Sequence, residues 1–394
     1  MTHNEPPWLR PSPTDAASLP HRCDVLVVGA GPAGLGVALM LARQGVDVVV
    51  CEAATALGQG AFGRGPGVAM GWLHDHRHRL AGALGQASAE EVERFVARGH
   101  ALAVELLPTS AWQRCSGLLL AGDAKEAAEL DLAAAHGSPA TETKLAPQGT
   151  RERWGFLPSH GASERVESAL VQPGSALEAL AQQARAAGAT LALGSPVDAL
   201  DEAGGSPVAR IAGHSLAAEL VVLCAGVGTA ALDPAARSFL VPLCHYAVTL
   251  AEPAGSPLAS APWSAWYGQL CGRPLPEGGW LVAGGRTQNE PGDQGFPPQI
   301  LGAMVGFFAR ERGLDDVAAL EITRRWTRWV AHTRDGLPLV GPVPGRVRRI
   351  LCTGFNDHDA DLALAAAELV SQGVLTGRAD APACMASVRL LELS

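Results

Sequence analysis

The sequence predicts an α/β protein. A doubly wound dinucleotide-binding domain opens the chain, and a second domain on a mixed sheet is interleaved with it. Three observations predict this. Strand, glycine turn, helix, second strand and acid follow one another without interruption from Asp24 to Glu52. Short apolar runs of the kind found in buried parallel strands recur at Thr190–Leu193, Ala218–Cys224 and Ile350–Cys352. Between the last two, from about Phe239 to Arg325, the pattern turns to alternating strands rich in tryptophan (Trp263, Trp266, Trp280).

Each element of the first stretch has a reason. Val25–Val28 reads as a buried strand, and Gly29, Gly31 and Gly34 follow at G-x-G-x-x-G spacing. Gly29 permits the tight turn, Gly31 lets the backbone approach a pyrophosphate, and Gly34 lets the helix pack closely on the sheet. Leu35–Gln44 reads as that helix, with Gly45 at its end, and Val46–Val50 as the second strand. The helix N-terminus offers N–H groups and partial positive charge to a phosphate. Glu52 stands where a carboxylate accepts hydrogen bonds from a ribose. Gly29, Ala30, Gly31, Pro32, Ala33, Gly34, Glu52 and Ala53 are therefore the first cofactor-binding candidates.

Residues 1–21 read as a proline-rich arm, which Trp8 would pin to the body. A glycine-rich loop follows Glu52 from Ala53 to Gly71. It carries Gly63 and Arg64, the latter a candidate partner for phosphate. Glu90–Leu107 has helical period, and residues 121–150 read as a short helix and a surface loop. Trp154–Leu157 and Glu164–Val171 read as strands of the second sheet. Ser175 and Glu178 form a capping box on the helix that Gly188 closes. Val197 follows a strand where a backbone can meet an adenine, and Ala225-Gly226 ends another. Pro298–Arg312 is helical. Gly354-Phe355-Asn356-Asp357-His358-Asp359 then leads into a last helix, Asp361–Gln372.

Size and composition exclude several classes. The 394 residues carry a formal net charge of −9 with no basic run, which argues against nucleic acid as a partner. No apolar run reaches the ~20 residues of a membrane span. The eight cysteines form no CxxC, and several, such as Cys51 and Cys224, sit in apolar strands, as free thiols of a cytoplasmic protein do. His74 and His78 are spaced i, i+4, but no third ligand follows at a useful spacing. They read as a solvated helix start, and no metal site is expected.

Four segments resemble the FAD-dependent oxidoreductases of the D-amino-acid oxidase superfamily, the glycine, sarcosine and γ-glutamylputrescine oxidase group. Gly29–Gly34 with Glu52 is similar to the FAD fingerprint. Ala61-Phe62-Gly63-Arg64 resembles the family's Ala-Ser-Gly-Arg, and Val171-Gln172-Pro173-Gly174 its His-Pro-Gly helix entry. Trp329–Pro338 followed by Gly354 resembles its C-terminal flavin segment. The resemblance implies noncovalent FAD and an antiparallel-sheet substrate domain. It assigns residues 22–90, 172–236 and 330–394 to the FAD domain and 91–171 and 237–329 to the substrate domain. It implies oxidation of the C–N bond of a small amine or amino acid by hydride transfer to flavin. The imine is then hydrolysed, and dioxygen or another acceptor reoxidises the flavin. It adds Gly354, Phe355, Asn356 and Asp357 to the cofactor-binding set.

Two departures bear on chemistry. Amino-acid oxidases of the family often show an arginine then a proline just before the Thr-x-Asp-Gly turn. Here Val330 and Ala331 stand in that place, which favours an amine substrate, although Arg286 could substitute from the other sheet. The family's Gly-x-x-Gly-His-Gly has become Gly354-x-x-Asp357-His358-Asp359. Three roles are open to the two acids: capping the last helix, holding a cationic amine, or altering or abolishing the oxidase chemistry. His358, with an unperturbed pKa near neutrality, is the candidate base for a substrate ammonium. His358, Asp357 and Arg286 are thus the catalytic candidates.

Overall fold

Apolar runs too short for helices pair into two sheets in the computed structural model, which describes residues 5–9, 19–73, 76–135, 142–203, 205–252, 261–288, 296–378 and 381–391. The first sheet has the order Leu339–Val343, Arg346–Thr353, His214–Leu223, Arg22–Val28, Val48–Cys51, Thr190–Ala192. These strands are parallel except Leu339–Val343, which runs against its neighbour, and two further strands, Val197–Ala203 and Ser206–Ile211, join antiparallel beside His214–Leu223. Arg22–Val28 is central, so four of its residues, Val25 to Val28, are buried on both faces. That is why the run reads as continuous rather than alternating.

Helices Pro32–Ala42, Gln86–Leu106, Pro173–Ala186 and Asp359–Thr376 cover one face and share a core with it. The other face is covered by strands Val197–Ala203 and Ser206–Ile211, which extend from His214–Leu223. The second sheet has the order Glu321–Thr333, Leu240–Ala251, Trp280–Thr287, Leu270–Pro274, Trp263–Ala265, Trp112–Leu120, Ala162–Val171, Val68–Ala69. It is antiparallel except where Trp263–Ala265 runs parallel to Trp112–Leu120. Helix Pro298–Arg312 packs on it, with Phe307 and Phe308 against Trp263.

The chain crosses between the sheets more than once. Val68–Ala69 joins the second sheet, and Gln86–Leu106 packs on the last helix beside the first. Gly99 sets that contact: a Cβ there would lie 2.0 Å from the Asp361 carbonyl oxygen.

Three local expectations are corrected by the structure. Trp154 ends a helix, Pro147–Trp154, capped by Gly155 in the left-handed region (φ 68°), so Trp154–Leu157 is not a strand. The helix expected to start at Ser175 begins at Pro173, whose ring suits the first helical position, and no side chain caps it. The last helix starts at Asp359, with His358 as its N-cap residue.

Candidate active site

The glycine turn and the second sheet's edge strand enclose a cleft of about 810 Å³, within the usual size range of ligand sites, roughly 300–1,000 Å³. Gly29, Ala30, Gly31, Pro32, Ala33, Glu52, Gly63, Arg64, Ala225, Gly226, Gly354 and Phe355 line it. The backbone explains the three glycines separately. Gly29 has φ +104°, and a Cβ there would meet the Cys224 oxygen at 2.6 Å. A Cβ on Gly34 would lie 2.0 Å from the Gly29 oxygen. A Cβ on Gly31 would meet no protein atom within 4 Å, so the backbone there is open to the cleft.

Gly31 caps the helix with no side-chain hydrogen bond, leaving the first-turn N–H groups toward the cleft. Glu52 accepts from Ala30 N at 2.8 Å and Ala54 N at 3.0 Å, which fixes its carboxylate and leaves lone pairs for ribose hydroxyls. The residues present fit a dinucleotide cofactor.

Gly34, Ala53, Val197, Asn356 and Asp357 are not among the cleft-lining residues, and neither are the catalytic candidates Arg286 and His358. Gly34 serves packing, and Val197 begins a strand on the far face of the first sheet. Asn356 works on the loop itself: it accepts from Thr333 N at 2.7 Å and donates to the Gly354 carbonyl. The glycine-rich loop is stapled from two sides. Trp8 Nε1 donates to Gly63 O at 2.7 Å from the arm, and Trp326 Nε1 donates to Arg64 O at 2.9 Å from the second sheet. Arg64 Nε itself donates to Thr327 O at 2.9 Å. His78 is bound to Glu129 at 2.6 Å, and His74 lies outside the described residues.

Behind the cleft, and reaching it through Arg328, lies a charged cluster that local sequence patterns did not reveal. On the second sheet, His245 lies opposite Arg286 on one neighbouring strand and Arg328 on the other. One row across three strands therefore carries two guanidinium groups flanking an imidazole, an arrangement that like-charge repulsion disfavours. Asp357 relieves it. Its carboxylate meets Arg328 Nη2 at 2.5 Å, His245 Nδ1 at 3.0 Å, Arg286 Nη2 at 3.5 Å and His332 Nε2 at 3.8 Å. Asp357 sits at φ 76°, after Gly354 at 74° and Asn356 at 53°. This is the left-handed region, which glycine tolerates best and Asn and Asp better than other residues. Burial raises the carboxyl's pKa, but Arg328, His245 and Arg286 together hold it well below the usual carboxylate range.

The acid thus neither caps the last helix nor stands free for a cationic amine. His245, His332 and Asp357 place three possible metal-ligand atoms within 4.8 Å of one another. Arg328 and Arg286 already supply the positive charge that a cation would bring.

Arg328 lines both the main cleft and a cavity of about 30 Å³ behind it, walled by Met70, His245, Cys271, Asp357, His358 and Asp361, among others. His358 is buried, with Nδ1 3.9 Å from Asp361 Oδ2. Asp361 is fixed in turn: Oδ1 accepts from Gly71 N at 3.0 Å and bonds His100 Nε2 at 2.7 Å. Asp359 lines the main cleft, and burial lifts its carboxyl from 3.8 to about 6.

The cluster makes stability depend on pH. Burial lowers His245 from 6.5 to about 3 and His332 from 6.5 to about 4. Between those values and 6.5 the unfolded chain binds protons that the folded one refuses. Stability is complete above pH 6.5 and lost as pH falls. Asp359 works the other way between about 6 and 3.8, offsetting one proton of two. The net slope expected between pH 6 and 4 is about 1.4 kcal/mol per unit. Thermal midpoints across that range test it. His332→Asn should flatten the slope, and an unchanged slope would remove His332 from the account.

A glycine turn at a helix N-terminus, with a second sheet closing the far end of the cleft, defines a dinucleotide-dependent oxidoreductase architecture. The chain belongs to the FAD dependent oxidoreductase family (DAO), whose model matches residues 24–372. The L-proline dehydrogenase of P. horikoshii superposes with a TM-score of 0.81 at 19% identity, over 95% of this chain and 100% of that one. The glycine oxidase of Geobacillus kaustophilus does so with a TM-score of 0.79 at 22% identity, over 94% and 99%. A 74-residue stretch is 39% identical to the 4-oxocyclohex-2-ene-1-carboxylate 5-dehydrogenase of Sinomonas cyclohexanicum, covering 19% of this chain and 12% of that protein. The stretches shared with the first curated relatives span under a fifth of those proteins. The protein is an FAD-dependent oxidoreductase of mixed α/β fold. Among the described residues no helix is long and apolar enough to cross a membrane.

Proposed function

We propose that this enzyme oxidises the C–N bond of a small amino acid or N-substituted amino acid, binding the substrate carboxylate at Arg286. One observation carries this reading. Arg286 comes within 3.5 Å of Asp357 yet has no hydrogen bond among the described residues, and its Nε is buried and unsatisfied. Its side chain keeps 29% of its surface accessible. A guanidinium has five donors in a planar fork that suits a carboxylate. The arginine absent at Val330 is thus supplied from the neighbouring strands. This moves the balance from a simple amine toward an amino acid. The similar structures of a proline dehydrogenase, a glycine oxidase and an iminodiacetate oxidase agree with that direction.

FAD held in the cleft would supply the redox chemistry, a two-electron acceptor for the hydride lost from the carbon next to nitrogen, and water would hydrolyse the resulting imine. The chain's own groups do the rest. Arg286 fixes the carboxylate, and with it the position of the neighbouring C–H. His358, oriented by Asp361 at Nδ1, takes the ammonium proton at Nε2, since the amine must be neutral to give up a hydride. Gly29–Ala33, Glu52, Gly63, Arg64, Ala225, Gly226, Gly354 and Phe355 would hold the cofactor. We assign residues 330–394 and the Rossmann strands to the FAD domain and the second sheet with its helix to the substrate domain. The eight free cysteines fit a cytoplasmic location.

The test is anaerobic reduction of the yellow protein by matched pairs, an amino acid and the amine that lacks its carboxylate. Bleaching by amino acids and a rise of about tenfold or more in KM for Arg286→Leu are expected; charge-assisted hydrogen bonds are worth ~1.5–3 kcal/mol. Bleaching by the amines alone would return the assignment to an amine oxidase.

A further inference from the structure

Both arginines of the row face one internal carboxylate, but they are not equally engaged by it. Arg328 is committed: Nη2 is 2.5 Å from Asp357 Oδ1, Nη1 donates to Ala61 O at 3.3 Å, and only 8% of its side chain is accessible. Arg286 stands 3.5 Å away with 29% of its side chain accessible. Asp357 is held there against a backbone preference, at φ 76°, and with 8% of its side chain accessible. Strain and burial at one functional position mark a residue kept for what its side chain does.

We propose that Asp357 is a specificity-determining residue, an internal carboxylate that occupies the place of a second substrate carboxylate on Arg328. A ligand then finds one open guanidinium, Arg286, and the site takes monocarboxylic rather than closely spaced dicarboxylic substrates. This rests on Arg286 being the carboxylate anchor, as proposed above.

The geometry makes the position testable. Asp357→Gly removes the carboxylate and suits the left-handed backbone. Asp357→Asn keeps the side-chain shape and removes the charge. With FAD bound, acetate and malonate serve as probes, followed by calorimetry and by the change they cause in the visible flavin spectrum. In the glycine variant a second carboxylate can enter the vacated seat. The dissociation constant for malonate is expected to fall at least about tenfold more than that for acetate, the factor that ~1.4 kcal/mol represents. Adding Arg328→Leu should abolish that difference. The Asn variant, whose seat stays filled, should show less of it.

Equal gains for both probes would mean that Asp357 only repels anions at a distance, and the proposal would be wrong. The absence of any gain in the glycine variant would overturn it equally. Failure of the underlying anchor shows separately: Arg286→Leu would then leave acetate binding to the wild-type background unchanged.

Discussion

Replacing Arg328 by leucine is expected to destabilise the protein by about 3–5 kcal/mol, the cost of leaving a buried charge without its partner. Arg328 makes the shortest contact to the Asp357 carboxylate, 2.5 Å, and both side chains are only 8% accessible. Arg286 at 3.5 Å does not replace it, and the two histidines near the carboxylate stay neutral because burial lowers their pKa to about 3 and about 4. The pH dependence gives the loss a signature. With Arg328 present the carboxyl titrates below its usual range, so its contribution is complete above about pH 4. Without Arg328 the hold on the carboxyl weakens while burial still raises it, so protonation relieves the folded state at a higher pH than in the parent. The deficit of the variant should therefore shrink as pH is lowered toward 4. Arg328→Leu combined with Asp357→Asn should recover at least half of the loss, since no buried charge is then stranded. Denaturant unfolding of the parent, both single variants and the double variant at neutral pH and at pH 5 measures all of this. A single-variant cost under about 1 kcal/mol would show that the carboxylate does not depend on Arg328.

What the sequence disclosed and what it hid follow from where the information lies. The glycine turn was legible because each demand is local. Gly29 is required by its own positive φ and Gly34 by the Gly29 oxygen five residues back, and Glu52 accepts from Ala30 and Ala54 in the same unit. The cluster around Asp357 was not legible, although Asp357 itself stands out as a departure from glycine. Its role depends on strand register: Arg286, His245 and Arg328 lie in one row only because three distant strands pair in one particular alignment. Alternation along Glu321–Thr333 puts Arg328 on the buried face of Val330, and that pattern was available to find it. Nothing local marks His245, a lone histidine in an apolar strand. Two of the misread segments were decided by proline: Pro147 starts a helix that runs through to Trp154, and Pro173 starts one two residues before the capping box at Ser175.

Gly31→Val and Gly34→Val should fail in opposite ways, and the contrast tests the cofactor seat. At Gly31 the backbone is extended (φ −74°, ψ 179°), which valine adopts readily, and a Cβ meets no protein atom within 4 Å. The variant should fold, with stability of the cofactor-free chain within about 0.5 kcal/mol of the parent, as for substitutions that disturb no contact. Its side chain would nevertheless fill the space before the helix N-terminus where the diphosphate must come close. Bound FAD should fall at least about tenfold, the factor that ~1.4 kcal/mol represents. At Gly34 a Cβ would lie 2.0 Å from the Gly29 oxygen and 3.2 Å from a Val27 methyl. The helix would have to move off the central strand, at a cost of about 3 kcal/mol or more. That variant should lose soluble, folded protein before cofactor binding can be measured. Visible absorbance of purified protein, together with unfolding after the flavin is stripped, separates the two outcomes. A fully yellow Gly31→Val protein would place the diphosphate elsewhere and remove the physical basis for reading this turn as the cofactor site.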